Sequence, residues 1–153
     1  MGTVHVVTAC FAIALGLAIL IRRKGDRRHR GLGLVYAAAM GVVNLAVIGR
    51  YDGSGRPGPF HALAVISILT TALGWWTLSR RVRGNRAVHA HASFMTWSWI
   101  GAVTAGLAQA ANQWWPDHSP WPVVLVIAAA TASGFVLVPS FVSRQVRLAP
   151  NQS

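Results

Sequence analysis

Apolar residues in this chain come in long blocks. Five runs, each about 18–21 residues long, are separated by short polar stretches, and that is the length a helix needs to cross hydrocarbon. The runs predict helices over Thr3–Ile21, Gly31–Gly49, His61–Ser79, Ala90–Ala111 and Pro122–Val142. Pro57, Gly58 and Pro59 break the chain before the third run, and Pro116, Pro120 and Pro122 break it before the fifth. The expected fold class is an all-α membrane protein with five transmembrane helices in a single integral membrane domain, 1–153.

Composition agrees with this pattern. Of 153 residues, 54% are hydrophobic and only 11% are charged, against about a quarter charged in soluble domains. Mean hydropathy is +0.46. "MGTVHVV" carries no positive charge ahead of the first run, and "RRKGDRR" follows it. A cleaved leader has the opposite order, so a retained helix is expected. The one cysteine, Cys10, lies in the first run. It is expected as a small buried apolar residue, since it has no partner for an intramolecular disulfide.

The net charge of +11 would suit a nucleic-acid binder, but the positive residues sit in short loops between apolar runs, not on one amphipathic face. No nucleic-acid partner is expected. Thirteen arginines accompany a single lysine. The loop Arg22–Arg30 holds six positive residues, Arg80–Arg86 holds four, and the tail adds Arg144 and Arg147; the opposite side has only Arg50 and Arg56. The positive-inside rule then places the N-terminus outside and the C-terminus in the cytoplasm, as expected of a multi-pass protein of a bacterial inner membrane. Trp114, Trp115 and Trp121 are expected in an outer aromatic belt, with Trp75, Trp76, Trp97 and Trp99 near the inner one. The arginine clusters should touch anionic lipid at the cytoplasmic face. Gly33, Ala37 and Gly41 on helix 2, and Ala12 and Gly16 on helix 1, have the spacing of close helix contacts.

An internal repeat places the histidines. Unit one (3–49) begins near His5, runs through a helix to Arg22–Arg23, turns at Gly25–Asp26–Arg27 and reaches His29. Unit two (60–112) begins near His61, runs to Arg80–Arg81, turns at Gly84–Asn85–Arg86 and reaches His89 and His91. Two such hairpins form a four-helix up-down bundle, with the fifth helix, 122–142, packed outside. Alternate helices are then diagonal partners. Neighbouring axes are about 8–10 Å apart and diagonals roughly 12–14 Å. That gap is wide enough for a flat cofactor with an imidazole on each face. His5 and His61 share the outer end, and His29 and His91 share the inner end.

The apolar runs hold no Asp, Glu, Lys or Arg; the only acids, Asp26, Asp52 and Asp117, lie in loops, and glutamate is absent. This argues against a carboxylate proton relay, a two-carboxylate hydrolase and a carboxylate metal cage. HExxH, P-loop and nucleophile-elbow patterns are also missing. Ionisable residues at membrane depth are functional candidates by default, so the histidines carry the chemistry. One reading is two b-type haems, ligated by His5 with His61 and by His29 with His91, in a membrane oxidoreductase that transfers electrons to a redox partner or quinone. Met40 and Met95 would form walls, and the stripe Met95, Ser98, Ala102, Ala105, Gln109 would leave room. A second reading uses His5, His61, His29 and His91 for copper or zinc, with His89 joining the inner set and His118 the outer one. A third has histidines capping helices or bonding headgroups in a non-catalytic membrane subunit. A homo-oligomer is compatible with any of them.

"HRGLGLVY" (His29–Tyr36) and "HAHASFM" (His89–Met95) resemble the bacterial predicted membrane proteins grouped as domain of unknown function 2306. Members tend to show H-R-x-L-G-x-x-Y at one helix start and H-x-x-W-M at another. His29, Arg30, Leu32, Gly33 and Tyr36 match the first; His91 and Met95 match the second, with Phe94 in place of Trp. Early histidines such as His5 and His61 also fit. The likeness covers roughly Met1 to Trp115 and implies a membrane protein without a defined activity. In layout alone, the histidine placement is similar to two-haem proteins of the cytochrome b-561 type.

Overall fold

The computed structural model describes residues 2–22, 24–49, 58–79, 84–115 and 120–148. They form five helices: α1 Thr3–Ile21, α2 Arg27–Ile48, α3 Pro59–Ser79, α4 Asn85–Trp114 and α5 Trp121–Leu148. There is no strand among the described residues.

The helix starts are set by polar and conformational signals, so several helices extend past the apolar runs. Asp26 caps α2, its side chain accepting the His29 N–H at 2.6 Å, which satisfies one of the donors a helix start leaves open. Arg27, Arg28 and Arg30 therefore belong to α2 and not to a loop, and Arg86 likewise belongs to α4. Helix 2 was expected from Gly31 and helix 4 from Ala90. The apolar pattern stops where charge begins, whereas the backbone stays helical through the charged residues. Gly25 and Gly84 precede these two helices with φ of 90° and 86°, a region that costs any other residue strain. Lys24 closes α1 by donating from Nζ to the carbonyls of Ile19 and Leu20, the latter at 2.8 Å, a favourable place for a cation. α3 opens with Pro59 at its first position.

α1 packs on α2 and α4, α2 on α3, α3 on α4, and α5 on α4. Among the described residues α1 and α3 make no close backbone approach, nor do α2 and α4, so α1 to α4 close a ring around a shared interior. Ala12, Tyr36, Ala39 and Met40 form its buried core, with Leu15, Ile19, Met95, Trp99 and Ala102 against it. The outer surface is strongly apolar, with Val4, Leu34, Leu45, Leu69 and Phe135 all exposed, which suits lipid and not water.

Among the described residues four helical stretches are long and apolar enough to cross a membrane: Thr3–Ile21, Arg27–Ile48, Phe60–Thr77 and Trp121–Val146. The fifth expected span, α4, is not among them despite its 30 residues. Its polar side chains are the reason: Thr96, Ser98 and Thr104 are buried inside the protein. Thr96 and Thr104 return their hydroxyls to the carbonyls of Ala92 and Ile100, so neither meets lipid as a bare polar group.

Three local expectations change. Cys10 is exposed, not buried. Trp97 and Trp99 are half-buried at helix contacts: Trp97 lies edge-on to Phe135 with ring centroids 4.9 Å apart, and Trp99 donates from Nε1 to the Ile13 carbonyl at 2.9 Å. Trp75, Trp76, Trp114, Trp115 and Trp121 are exposed. Of the small-residue pairs, Ala12 and Gly16 are buried at the helix contact, whereas a Cβ at Gly33 or Gly41 would meet nothing within 4 Å.

A Cβ at Gly16 would collide with the Trp99 indole and reach Tyr36. Gly16→Ala is expected to lower stability by about 1–3 kcal/mol through overpacking. Gly33→Ala, in open space, should be neutral or gain about 0.5–1 kcal/mol. Thermal unfolding of both variants in detergent checks the contrast, and equal midpoints would contradict the packing described here.

Candidate functional site

One face of α2 carries His29, Tyr36, Met40 and Asn44, spaced by seven, four and four. Tyr36, Met40 and Asn44 are buried. Opposite, α4 presents His91, Met95, Ser98, Ala102, Ala105 and Gln109. α3 supplies Ser67, Thr71 and Gly74, and α1 supplies His5, Ala12 and Gly16. These stripes meet in the ring's interior, where polar groups bond to each other. The Tyr36 hydroxyl lies 3.2 Å from Ser98 Oγ, which lies 2.7 Å from Thr71 Oγ1. Further along, Asn44 Nδ2 donates to Ser67 Oγ at 3.0 Å.

At the arginine-rich end the structure brings together His29, His91 and Lys24, each within electrostatic reach of the other two. His91 is half-buried, and its Nδ1 lies 2.7 Å from the Gly74 carbonyl. A carbonyl can only accept, so Nδ1 carries the proton and Nε2 keeps its lone pair. Gly74 permits this approach: a Cβ there would meet Met95 Sδ at 2.8 Å. His29 Nδ1 is buried with no hydrogen-bond partner among the described residues. Burial lowers the Lys24 ammonium from the ordinary lysine value.

The opposite end is built differently. His61 Nδ1 accepts the Gly58 N–H at 3.1 Å, a contact within the first turn of α3. In the neutral ring the proton is then on Nε2, and such a ring offers no Nε2 lone pair to a metal. His61 does the work of a helix-start cap. His5 instead lines a cavity of about 200 Å³ between the four helices of the ring. His61 is not among the residues that line this cavity, so the cavity does not bring His5 and His61 together.

The copper or zinc set also fails to assemble. Among the described residues no group of three or more His, Cys, Asp or Glu side chains converges. His89 is exposed, with Nδ1 3.5 Å from Ser93 Oγ, and stands apart from His91. His118 lies outside the described residues. Sequence reasoning had passed over Lys24, Thr71, Asn44 and Ser67. Asn44, the only amide in its apolar run, together with its helical spacing from His29 and Tyr36, was the available signal.

The family model described as "Predicted membrane protein (DUF2306)" matches residues 2–143. No curated protein matches the chain, and no solved structure does.

Tyr36→Phe keeps the ring and removes only its hydroxyl. The expected cost is about 0.6 kcal/mol, the average for hydrogen bonds between membrane helices, with about 1.7 kcal/mol as the ceiling. Chemical unfolding in mixed micelles measures it; a stabilised variant would mean that Ser98 and Thr71 satisfy each other without Tyr36.

Proposed function

The chain belongs to the DUF2306 family of predicted membrane proteins, and on that footing we propose that it passes electrons through one b-type haem held by His29 and His91. The observation that carries this reading is the hydrogen bond from His91 Nδ1 to the Gly74 carbonyl. Metal-ligating histidines commonly give their second ring nitrogen to a backbone carbonyl, which fixes the tautomer and the ring plane. The buried, unpartnered Nδ1 of His29 supports it as the second imidazole.

Charge favours a haem over a bare cation at this place. Lys24 and Arg30 both act on His29. The one nearby carboxylate, Asp26, is engaged by the His29 N–H. A naked divalent ion would be repelled here, whereas a cofactor with carboxylate arms at the membrane surface would be attracted. When bound, haem supplies a one-electron couple, and two axial imidazoles favour electron transfer over oxygen chemistry. The protein's part is to hold both rings, keep water from the apolar interior and neutralise the cofactor's acidic edge.

The same reading has α4 as a fifth span in an up-down bundle. Its polar face turns inward, so an apolar remainder is left for lipid and α5. The arginine-bearing ends of α1, α2 and α4 lie in the cytoplasm of a bacterial cell, against anionic lipid, with the N-terminus outside.

Purified protein is expected to show a Soret band that sharpens on dithionite reduction, with iron near one per chain. His29→Ala and His91→Ala should each abolish it, whereas His89→Ala, His5→Ala and His61→Ala should keep it. A colourless protein, or one with stoichiometric copper or zinc by elemental analysis, would rule out the haem. Orientation is checked separately: a C-terminal green fluorescent protein fusion should fluoresce, and alkaline phosphatase inserted between α2 and α3 should be active. The reverse pattern would invert the topology.

A further inference from the structure

The outer-half cavity belongs to neither the helix packing nor the inner imidazole pair. It measures about 200 Å³ and is bounded by α1, α2, α3 and α4. Its wall is mainly aliphatic, from residues such as Ile13, Val43, Leu63 and Ala105. Two polar sets interrupt it. Asn44 and Ser67 sit in the wall and are bonded to each other through Asn44 Nδ2 and Ser67 Oγ. His5 and Gln109 also line it. Gln109 lies eight residues beyond Gly101 on α4, so the lining extends about 12 Å along that helix.

Size sets the first limit on an occupant. An apolar cavity of about 150 Å³ accepts a benzene molecule, so this one has room for a single substituted six-membered ring. Polarity sets the second. Because Ser67 Oγ accepts from Asn44, its own O–H remains a donor, and the amide oxygen of Asn44 remains an acceptor. A saturated acyl tail would leave the Ser67 O–H facing hydrocarbon, which is costly. A ring oxygen would satisfy the hydroxyl. Gly101 lies on the wall, and a Cβ there would meet nothing within 4 Å. The backbone of α4 thus leaves space where most residues would fill it.

We infer that this cavity is a binding site for a quinone-type ligand, one six-membered ring carrying a carbonyl oxygen that accepts from the Ser67 hydroxyl. The site stands independently of the haem proposed at His29 and His91, because neither histidine lines the cavity. It would put a membrane-soluble carbonyl compound at the end of the ring opposite His29 and His91.

Duroquinone is a suitable probe, since its four methyl groups leave no ring position for the Cys10 thiol to add to. Durene, the same ring without oxygens, is the control. Calorimetric titration of the purified full chain in detergent should show saturable binding of duroquinone. Gly101→Leu, which grows into the open space, should weaken it at least tenfold with helicity unchanged. Ser67→Ala should weaken duroquinone several-fold while leaving durene unchanged. Equal affinity for duroquinone and durene in the wild type would overturn the carbonyl contact. Unsaturable binding, or binding indifferent to Gly101→Leu, would overturn the site. Should Gly101→Leu not fold, the Ser67→Ala comparison of the two probes decides by itself.

Discussion

The hydrogen bond between Tyr36 and Ser98 spans the middle of the protein. α2 and α4 are diagonal in the ring and their backbones stay apart, yet this phenol and this serine meet at 3.2 Å, with Thr71 on the far side of the serine. In hydrocarbon there is no water to take a stray polar group, and no hydrophobic drive between helices that are as apolar as the lipid. Association must come from close packing and from polar side chains finding one another. Tyr36, Ser98 and Thr71, with Asn44 and Ser67 beyond them, tell each helix which face belongs inside.

α4 follows from the same constraint. It touches α1, α3 and α5, so most of its circumference is covered by protein. A helix in that position can carry Thr96, Ser98 and Thr104 at little cost, and it is for this reason less apolar than its neighbours. Small residues complete the fit where bulky ones press in. Trp99 leans on Gly16, and Trp97 lies 2.6 Å from where a Cβ on Gly134 would be. Glycine and tryptophan act here as matched halves of one contact.

The histidines, similar in sequence position, divide into different jobs once their hydrogen bonds are known. His61 receives a backbone N–H and finishes the start of a helix. His91 gives its Nδ1 proton to a carbonyl of α3 and turns its other nitrogen into a base. His89, two residues away, is exposed. The ends of the ring are therefore unlike: one has imidazoles beside a lysine, and the other has an aliphatic cavity with an amide and a hydroxyl in its wall. The repeat is imperfect in the same sense. Gly25 precedes the cap of α2, whereas Gly84 is itself the cap of α4, and His29 falls in a first turn whereas His91 lies about two turns in.

Run length, composition and short motifs determined that this is a helical membrane protein, where its helices lie to within a few residues, and which family it belongs to. These depend on local quantities: hydropathy summed over a window, turn residues, and motif residues such as His29, Arg30 and Tyr36. The helix ends slipped because Asp26 and the glycines with positive φ start helices ahead of the apolar runs. Tertiary structure alone decided which side of each helix faces in. Cys10 came out exposed, Trp97 and Trp99 proved half-buried at helix contacts, and Gly33 and Gly41 proved to face open space while Ala12 and Gly16 were buried. In a membrane both faces of a helix are apolar, so hydrophobicity cannot mark the inner one. Only the polar contacts between helices can, and those exist only when the chain is folded.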